Sequence, residues 1–503
     1  MPDTPPNFPK RQGSQTEHTL QLHLLRLNYR ALAEWQTLYE HDKPAAEMFH
    51  VAYLAEADDG PPRPLTFVFN GGPGAASAYL HMGGLGPQRI AFDYQGGLPR
   101  SPVNLVPNQE SWLSFTDLVF IDPIGTGFSR GLTNPEAEAK TETPETKAPE
   151  PGKKSDSPKE SPFWEVERDL NAIGEFIQRF LSRHNRWLSP IFIAGESYGG
   201  FRVARLARKL QAEFGIGLSG AIMISPALEF SMLSGGDYNL APWMTLMPTL
   251  AATAAHHGYA TASTALDLKA HLATAEQFAR RTLAPLLALG DALPLSERQI
   301  AYQKMATLIG LSAQVIENQG GRISMDFFAR ELLRDRQQIL GLYDASITAI
   351  DPFPNRPLYD GNDPTLSGID RLFTAAINSH LRQLLRVDTD LTYSLLSMEA
   401  FNAWKYDQKG EFKQGFLSAV DDLRAGMALN PHMHVMINHG VYDMVTPYFA
   451  SNYLADLMKL HPQLKDNLRL KHYRGGHMFY TWDESRQDWF EEMQRFYVKV
   501  TLV

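Results

Sequence analysis

Four short apolar runs, each delivered into a turn, constrain this chain more than any other feature. Pro64-Leu-Thr-Phe-Val-Phe-Asn70 ends in Gly71-Gly-Pro-Gly74, and Asp117-Leu-Val-Phe-Ile121 ends in Asp122-Pro123. Pro190-Ile-Phe-Ile-Ala194 enters Gly195, and Gly220-Ala-Ile-Met-Ile224 is the fourth. Continuous apolar runs of this length, followed by glycine-rich turns or helical segments, read as strands of a parallel sheet buried on both faces. The expectation is an α/β class with a mostly parallel central sheet flanked by helices. Upstream, Leu20, Leu22 and Leu24, then Phe49, Val51 and Tyr53, alternate with polar neighbours. That period suits half-buried antiparallel strands, with a helix still open for the first part.

Two segments break the rhythm. Residues 131–162 are rich in Pro, Glu, Lys, Ser and Thr, and Leu132 is their sole large apolar residue. They cannot bury enough surface to offset the entropy of ordering, so a disordered surface insertion is expected. Across residues 231–406 helical patterns replace the strand-like runs, as in Leu266–Leu289, Glu297–Leu308, Met325–Leu342 and Ile369–Leu385. The β pattern resumes at Val435-Met-Ile-Asn438. The expected division is a core over 16–230, a helical cap insertion over 231–406, and the rest of the core over 407–503.

Composition narrows the chemistry. Among 503 residues there is no cysteine, which excludes a disulfide scaffold, a thiolate metal site, an iron–sulfur cluster and a cysteine nucleophile. Any nucleophile must carry oxygen or nitrogen. A net charge of −9 gives no footprint for nucleic acid. Met1–Gln15 lacks the apolar run of a secretory signal, and no stretch of about 18 apolar residues could span a membrane. With cysteine absent, a cytoplasmic location is expected, or a periplasmic or secreted one if the start is processed.

Gly195-Glu-Ser-Tyr-Gly199 is a G-x-S-x-G pentapeptide between an apolar run and the helical pattern that begins Gly200-Phe-Arg-Val-Ala. Strand, sharp turn and helix together make a nucleophile elbow, although alone the pentapeptide suits an ordinary strand-to-helix turn equally well. Such a serine needs an acid and then a histidine, each after a late strand. Asp443 lies just past Val435–Ile437, and His477 follows in Gly475-Gly-His-Met478. His439 and His472 are the competing bases; His477 is preferred because its flanking glycines place it in a turn. Tyr198, following the serine, and Gly72, in the early glycine-rich loop, are the candidate oxyanion-hole N–H donors.

These residues resemble the serine carboxypeptidases of the α/β-hydrolase fold. The likeness is carried, in order, by Asn70-Gly-Gly-Pro-Gly74, Leu85-Gly-Pro87, Asn108 to Trp112, Asp122-Pro-Ile-Gly-Thr-Gly-Phe-Ser129, Gly195-Glu-Ser-Tyr-Gly-Gly200, Gly440-x-x-Asp443 and Gly476-His-Met478. It implies removal of a C-terminal residue through an acyl-enzyme. Ser197 would be the nucleophile, His477 the proton shuttle and Asp443 its orienting acid, with Gly72 and Tyr198 forming the oxyanion hole. Asn70, Gly71 and Glu196, with Met478 nearby, would hold the substrate's terminal carboxylate. Glu196 can face that carboxylate only if a proton is shared, so peptide turnover should be favoured in mild acid.

The chain departs from the family at Gly84, where a second glutamate is common, and at Ala75, where a cysteine is common. It resembles a cysteine-free, bacterial-type branch. The expected partner is a peptide with a free C-terminus, with no cofactor, no metal and no nucleic acid; oligomeric state is not legible. An esterase or acyltransferase on the same triad is the rival enzyme, and a catalytically dead binding scaffold is the rival from another class.

Overall fold

The computed structural model describes residues 11–22, 25–56, 60–132, 161–356, 359, 361–406 and 416–501. Leu24, and the 131–162 insertion from 133 to 160, lie outside the described residues.

The apolar runs form the middle of one large sheet. Its strands are β1 (Ser14–Gln21), β2 (Arg26–Glu40), β3 (Lys43–Ala55), β4 (Leu65–Phe69), β5 (Asp117–Ile121), β6 (Ile191–Glu196), β7 (Gly220–Ile224), β8 (His434–Gly440) and β9 (Leu468–Tyr473). They lie in the order β1-β2-β3-β5-β4-β6-β7-β8-β9, and the short strand Arg130–Gly131 pairs with β3 off that path. β1, β2 and β3 are antiparallel, as is the junction of β3 with β5. From β5 onward every pairing is parallel. The first part is therefore strand rather than helix. This is the α/β-hydrolase arrangement of a mostly parallel sheet with helices on both sides.

Strand pleating divides the core between the two faces. On β4, Phe67 and Phe69 point into a cluster with α1 (Val166–Arg183) and α2 (Tyr198–Glu213). Val68, between them, joins the opposite cluster. That second cluster takes in α4 (Pro364–Ser379), through Ile369, Phe373 and Ile377, and the C-terminal α5 (Asp483–Thr501), through Trp489, Met493 and Phe496. Since both sides of β4 to β8 are covered, these strands carry apolar residues continuously instead of alternately. β9 had no such signature: in Leu468-Arg-Leu-Lys-His-Tyr473 charged residues interleave, as befits a strand at the sheet edge.

Between β7 and β8 the chain is mainly helical, beginning with α3 (Ala241–His256). One helical expectation there needs correction. The pattern Met325–Leu342 is α-helical only to Glu331, with a 3-10 turn at Arg334–Arg336, and Gln338–Leu340 is a strand paired with Thr348–Ile350. Gln337 takes a left-handed backbone, φ 54°, which ends the helical path, and Ile339 and Leu340 are buried as strand residues. The helices share their core with Val441, Tyr442, Met444 and Tyr448, so this region packs directly on the loop that follows β8.

A buried polar bolt secures the same region to the sheet. Tyr53 Oη on β3 lies 2.7 Å from His81 Nε2 and 2.6 Å from His380 Nε2. His380 Nδ1 lies 3.2 Å from Gln88 Oε1, which can only accept from it, so His380 Nε2 is the unprotonated nitrogen. Tyr53 must then donate to His380 and accept from His81, which assigns every proton in the set.

Candidate active site

The candidate residues gather at the carboxyl ends of the parallel strands, where loops leave the sheet. Ser197 follows β6 directly and has φ 60° and ψ −123°, a conformation that is costly for a residue with a side chain. It is held by backbone bonds from Ser197 N to Ile224 O at 2.9 Å and from Ala227 N to Ser197 O at 3.2 Å. The turn closes only because its neighbours are glycines. A Cβ on Gly195 would stand 2.3 Å from Gly199 O, and one on Gly199 would stand 2.6 Å from Phe69 O. Ser197 is half-buried, and its hydroxyl makes no hydrogen bond among the described residues.

Asp443 and His477 meet on the adjacent loops. His477 Nδ1 lies 2.7 Å from Asp443 Oδ2, and both side chains are buried. Asp443 is saturated by donors: Val445 N at 2.9 Å, Thr446 N at 3.0 Å and Thr446 Oγ1 at 2.6 Å. Burial is the largest influence on His477 and opposes its charge. The charge and hydrogen bond of Asp443, helped by Glu196, outweigh that and leave its pKa raised. The competing histidines are engaged elsewhere: His439 Nε2 lies 2.8 Å from Ser451 Oγ, and His472 Nε2 lies 2.9 Å from Asn452 Oδ1.

The early glycine loop passes over the elbow at close range. A Cβ on Gly71 would lie 2.5 Å from Tyr198 N, and Gly72 takes φ 96°, so both positions demand glycine. Among the described residues the N–H groups of Gly72 and Tyr198 donate to no other group, leaving two donors beside Ser197. Asn70 accepts from Leu80 N through Oδ1 at 3.1 Å, which turns its amide nitrogen toward Glu196 Oε2. The Asn70 carbonyl is held by buried Arg202, 2.8 Å away, itself anchored on Asp169 at 2.7 Å. Glu196 Oε1 accepts from Tyr480 Oη at 2.8 Å. Burial pushes the Glu196 carboxyl up to about 7, against the opposing pull of His477, Tyr480 and Asn70. Met478 packs in the apolar core and makes no hydrogen bond to Asn70 or Glu196.

Sequence reasoning missed a strap, Leu342–Ala345, that stitches the acid and base loops together. Met444 N donates to Leu342 O at 3.1 Å and Ala345 N to Tyr442 O at 3.0 Å, one bond on each side of Asp443. His477 N donates to Tyr343 O at 2.5 Å, and Gly476 N to Asp344 Oδ2 at 2.9 Å. The Tyr343 ring stands edge-on to the imidazole, centroids 5.3 Å apart. No sequence signal marks the strap: the helical pattern over Met325–Leu342 ends at its first residue, and its partners lie on distant loops. Thr446 and Tyr480 were also missed, as their roles depend on contacts with distant residues.

Comparison with known proteins points the same way. Residues 36–229 match the serine carboxypeptidase family. Serine carboxypeptidase-like 13 of Arabidopsis thaliana is 28% identical over 182 residues, 35% of this chain and 36% of that protein. Serine carboxypeptidase-like 45 of the same plant is 29% identical over 199 residues, 38% of this chain and 35% of that protein. The alignments thus span about a third of each of these relatives. The matched stretch holds Asn70, Glu196 and Ser197 but stops before Asp443 and His477, which geometry alone joins to it. A proline iminopeptidase from Mycobacterium smegmatis aligns over 97% of this chain and 99% of its own at 12% identity and a TM-score of 0.35. At that score the fold assignment stands on the strand order instead. No helix among the described residues is long and apolar enough to cross a membrane, and no group of three or more His, Asp or Glu side chains among them is placed to hold a metal ion.

Proposed function

We propose that the protein is a serine carboxypeptidase that releases the C-terminal residue of peptides through an acyl-enzyme. One observation carries this reading: the Asn70–Glu196 pair lies immediately before the Ser197 elbow and beside the Gly71–Gly72 loop. A hydrolase of esters without a free carboxylate has no use for a buried acid there.

Ser197 Oγ attacks the last peptide carbonyl carbon while His477 Nε2 takes its proton. The carbonyl oxygen becomes an oxyanion and accepts from the N–H groups of Gly72 and Tyr198. Collapse breaks the C–N bond, and the imidazolium returns the proton to the departing amine, which leaves as a free amino acid. Water, deprotonated by His477, then attacks the acyl-enzyme. The C–O bond to Ser197 breaks, the imidazolium of His477 returns the proton to Ser197 Oγ, and the shortened peptide leaves. Asp443 holds the Nδ1 proton throughout. Glu196, protonated, donates to the terminal carboxylate alongside the second N–H of the Asn70 amide.

Comparing a blocked dipeptide bearing a free carboxylate with its amide tests the reading. The acid should be cleaved with much the higher kcat/KM. Equal cleavage of the two would leave a general hydrolase or acyltransferase on the same triad. A fluorophosphonate label lost in Ser197→Ala supports an enzyme over a binding scaffold.

A further inference from the structure

The carboxylate end of the site contains a group that the mechanism above does not use. Tyr480 is fully buried, and its ring lies over Gly83 and Gly84: a Cβ on Gly83 would come within 2.6 Å of Tyr480 Cε2, and one on Gly84 within 3.3 Å of Tyr480 Cδ2. Trp489 backs the ring in a stacked contact at 5.7 Å. The two glycines make the berth, Trp489 fixes the ring, and the hydroxyl is delivered 2.8 Å from Glu196 Oε1. A side chain at residue 84 would compete for that space.

We propose that Tyr480 is a specificity-determining residue acting through Glu196: its hydroxyl governs the pH up to which the site accepts a free C-terminal carboxylate. The inference rests on the carboxypeptidase reading and concerns the same site. A phenol donates one hydrogen bond, and an ionised carboxylate receives it better than a neutral acid does. With Asn70 on Oε2 and Tyr480 on Oε1, each oxygen of Glu196 has one donor, so the pair stabilises the ionised form. An incoming substrate carboxylate requires the protonated form. Tyr480 therefore keeps Glu196 from being permanently neutral in its buried setting, and makes carboxylate binding reversible with pH near neutrality.

The other titratable groups facing Glu196 are His477, which favours its charge, Asp443, which opposes it, and Tyr79, whose hydroxyl donates to Asp370 at 2.6 Å. None of these supplies a second donor to Oε1.

The test measures KM and kcat from pH 5 to 9 for the blocked dipeptide acid and its amide, in the wild type and in Tyr480→Phe. The upper pH limit for tight binding of the acid should move up by about one unit in the variant, as expected for loss of one hydrogen bond to a charged group, with no matching shift for the amide. An unshifted limit, or an equal shift for acid and amide, overturns the proposal. Wild-type enzyme that cleaves acid and amide equally defeats the carboxypeptidase reading itself, which is a separate outcome. Gly84→Ala keeps the hydroxyl but crowds the ring, and should shift the limit in the same direction by a smaller amount. Infrared difference spectra of wild type against Glu196→Gln follow the protonated carboxyl band without turnover. In Tyr480→Phe that band should persist to higher pH, and an unchanged titration counts against the idea even if the variant turns over poorly.

Discussion

Ser197 bears a positive φ in a turn held by backbone hydrogen bonds with Ile224, Gly200, Phe201 and Ala227. Ser197→Ala should lower kcat on the order of 10⁶-fold while leaving the fold intact, read by peptide turnover beside an unchanged unfolding midpoint. Asp443→Asn should cost roughly 10⁴-fold, because an amide in place of the carboxylate no longer holds His477 in the tautomer that accepts from serine. The pH profile follows from two groups that see each other's charge. Glu196, raised to about 7 by burial, must be protonated to bind a carboxylate, while His477, raised chiefly by Asp443 against burial, must be neutral to act as base. Binding of the acid substrate weakens as pH climbs through about 7, and acylation weakens as His477 gains its proton below its own raised value. The expected result is a narrow bell for kcat/KM, and Glu196→Gln should remove the alkaline limb and keep the acid one. A peptide KM that does not rise above neutrality in the wild type counts against this assignment.

At the scale of elements, the strap Leu342–Ala345 ties the helical region between β7 and β8 to the loops that carry Asp443 and His477. Its four bonds reach both the Asp443 and the His477 loops, and Gly476 has no room for a side chain, since a Cβ there would lie 2.1 Å from Tyr343 O. Asp344→Ala should lower kcat by roughly 10- to 100-fold with KM for the acid substrate little changed, because a loosened base loop misplaces the imidazole without touching the carboxylate end. Slower fluorophosphonate labelling in the same variant would show that the loss lies at the triad; a pure KM effect would contradict it. The Tyr53–His81–His380 bolt does a related job for the other side of the insertion. Tyr53→Phe strands two buried imidazole nitrogens and should cost about 2–4 kcal/mol in urea unfolding.

Over the whole molecule, buried histidines set the acid stability. Burial holds His50 and His380 down to about 3, and partial burial holds His184 and His472 to about 4. Each of these remains neutral in the folded protein yet takes up a proton near pH 6.5 when unfolded. The unfolded state therefore binds more protons in that window, and stability falls as pH drops from about 6.5 toward 4. Burial also raises Glu196 and Asp122 to about 7 and Asp344 to about 6. Their folded pKa values exceed the unfolded ones, so they act in the opposite sense between about 7 and 4. The histidines outnumber them, and the thermal midpoint should fall between pH 7 and pH 5. A midpoint that rises over that interval would show the carboxylates dominating. On the proposed reading, substrate binding in mild acid and stability pull in opposite directions, and turnover should peak in a band just below neutrality.

The sequence by itself determined the parallel core and the candidate residues at its strand ends. A strand buried on both faces must be apolar throughout, and a serine turn between such a strand and a helix must be flanked by glycine, so β4 to β8 and the Ser197 elbow are written locally. Asp443 and His477 could be picked for the same reason, each following a late strand or a pair of glycines. β9 was illegible because an edge strand tolerates charged residues, and the strand Gln338–Leu340 was misread because a short helix followed by a strand can mimic one longer helical period. Only the tertiary structure brought Tyr480 to Glu196, Asp344 to Gly476 and Tyr53 to His380. Residues that far apart in the chain share no period, and what joins them is the space left by a glycine or the need of a buried polar atom for a partner.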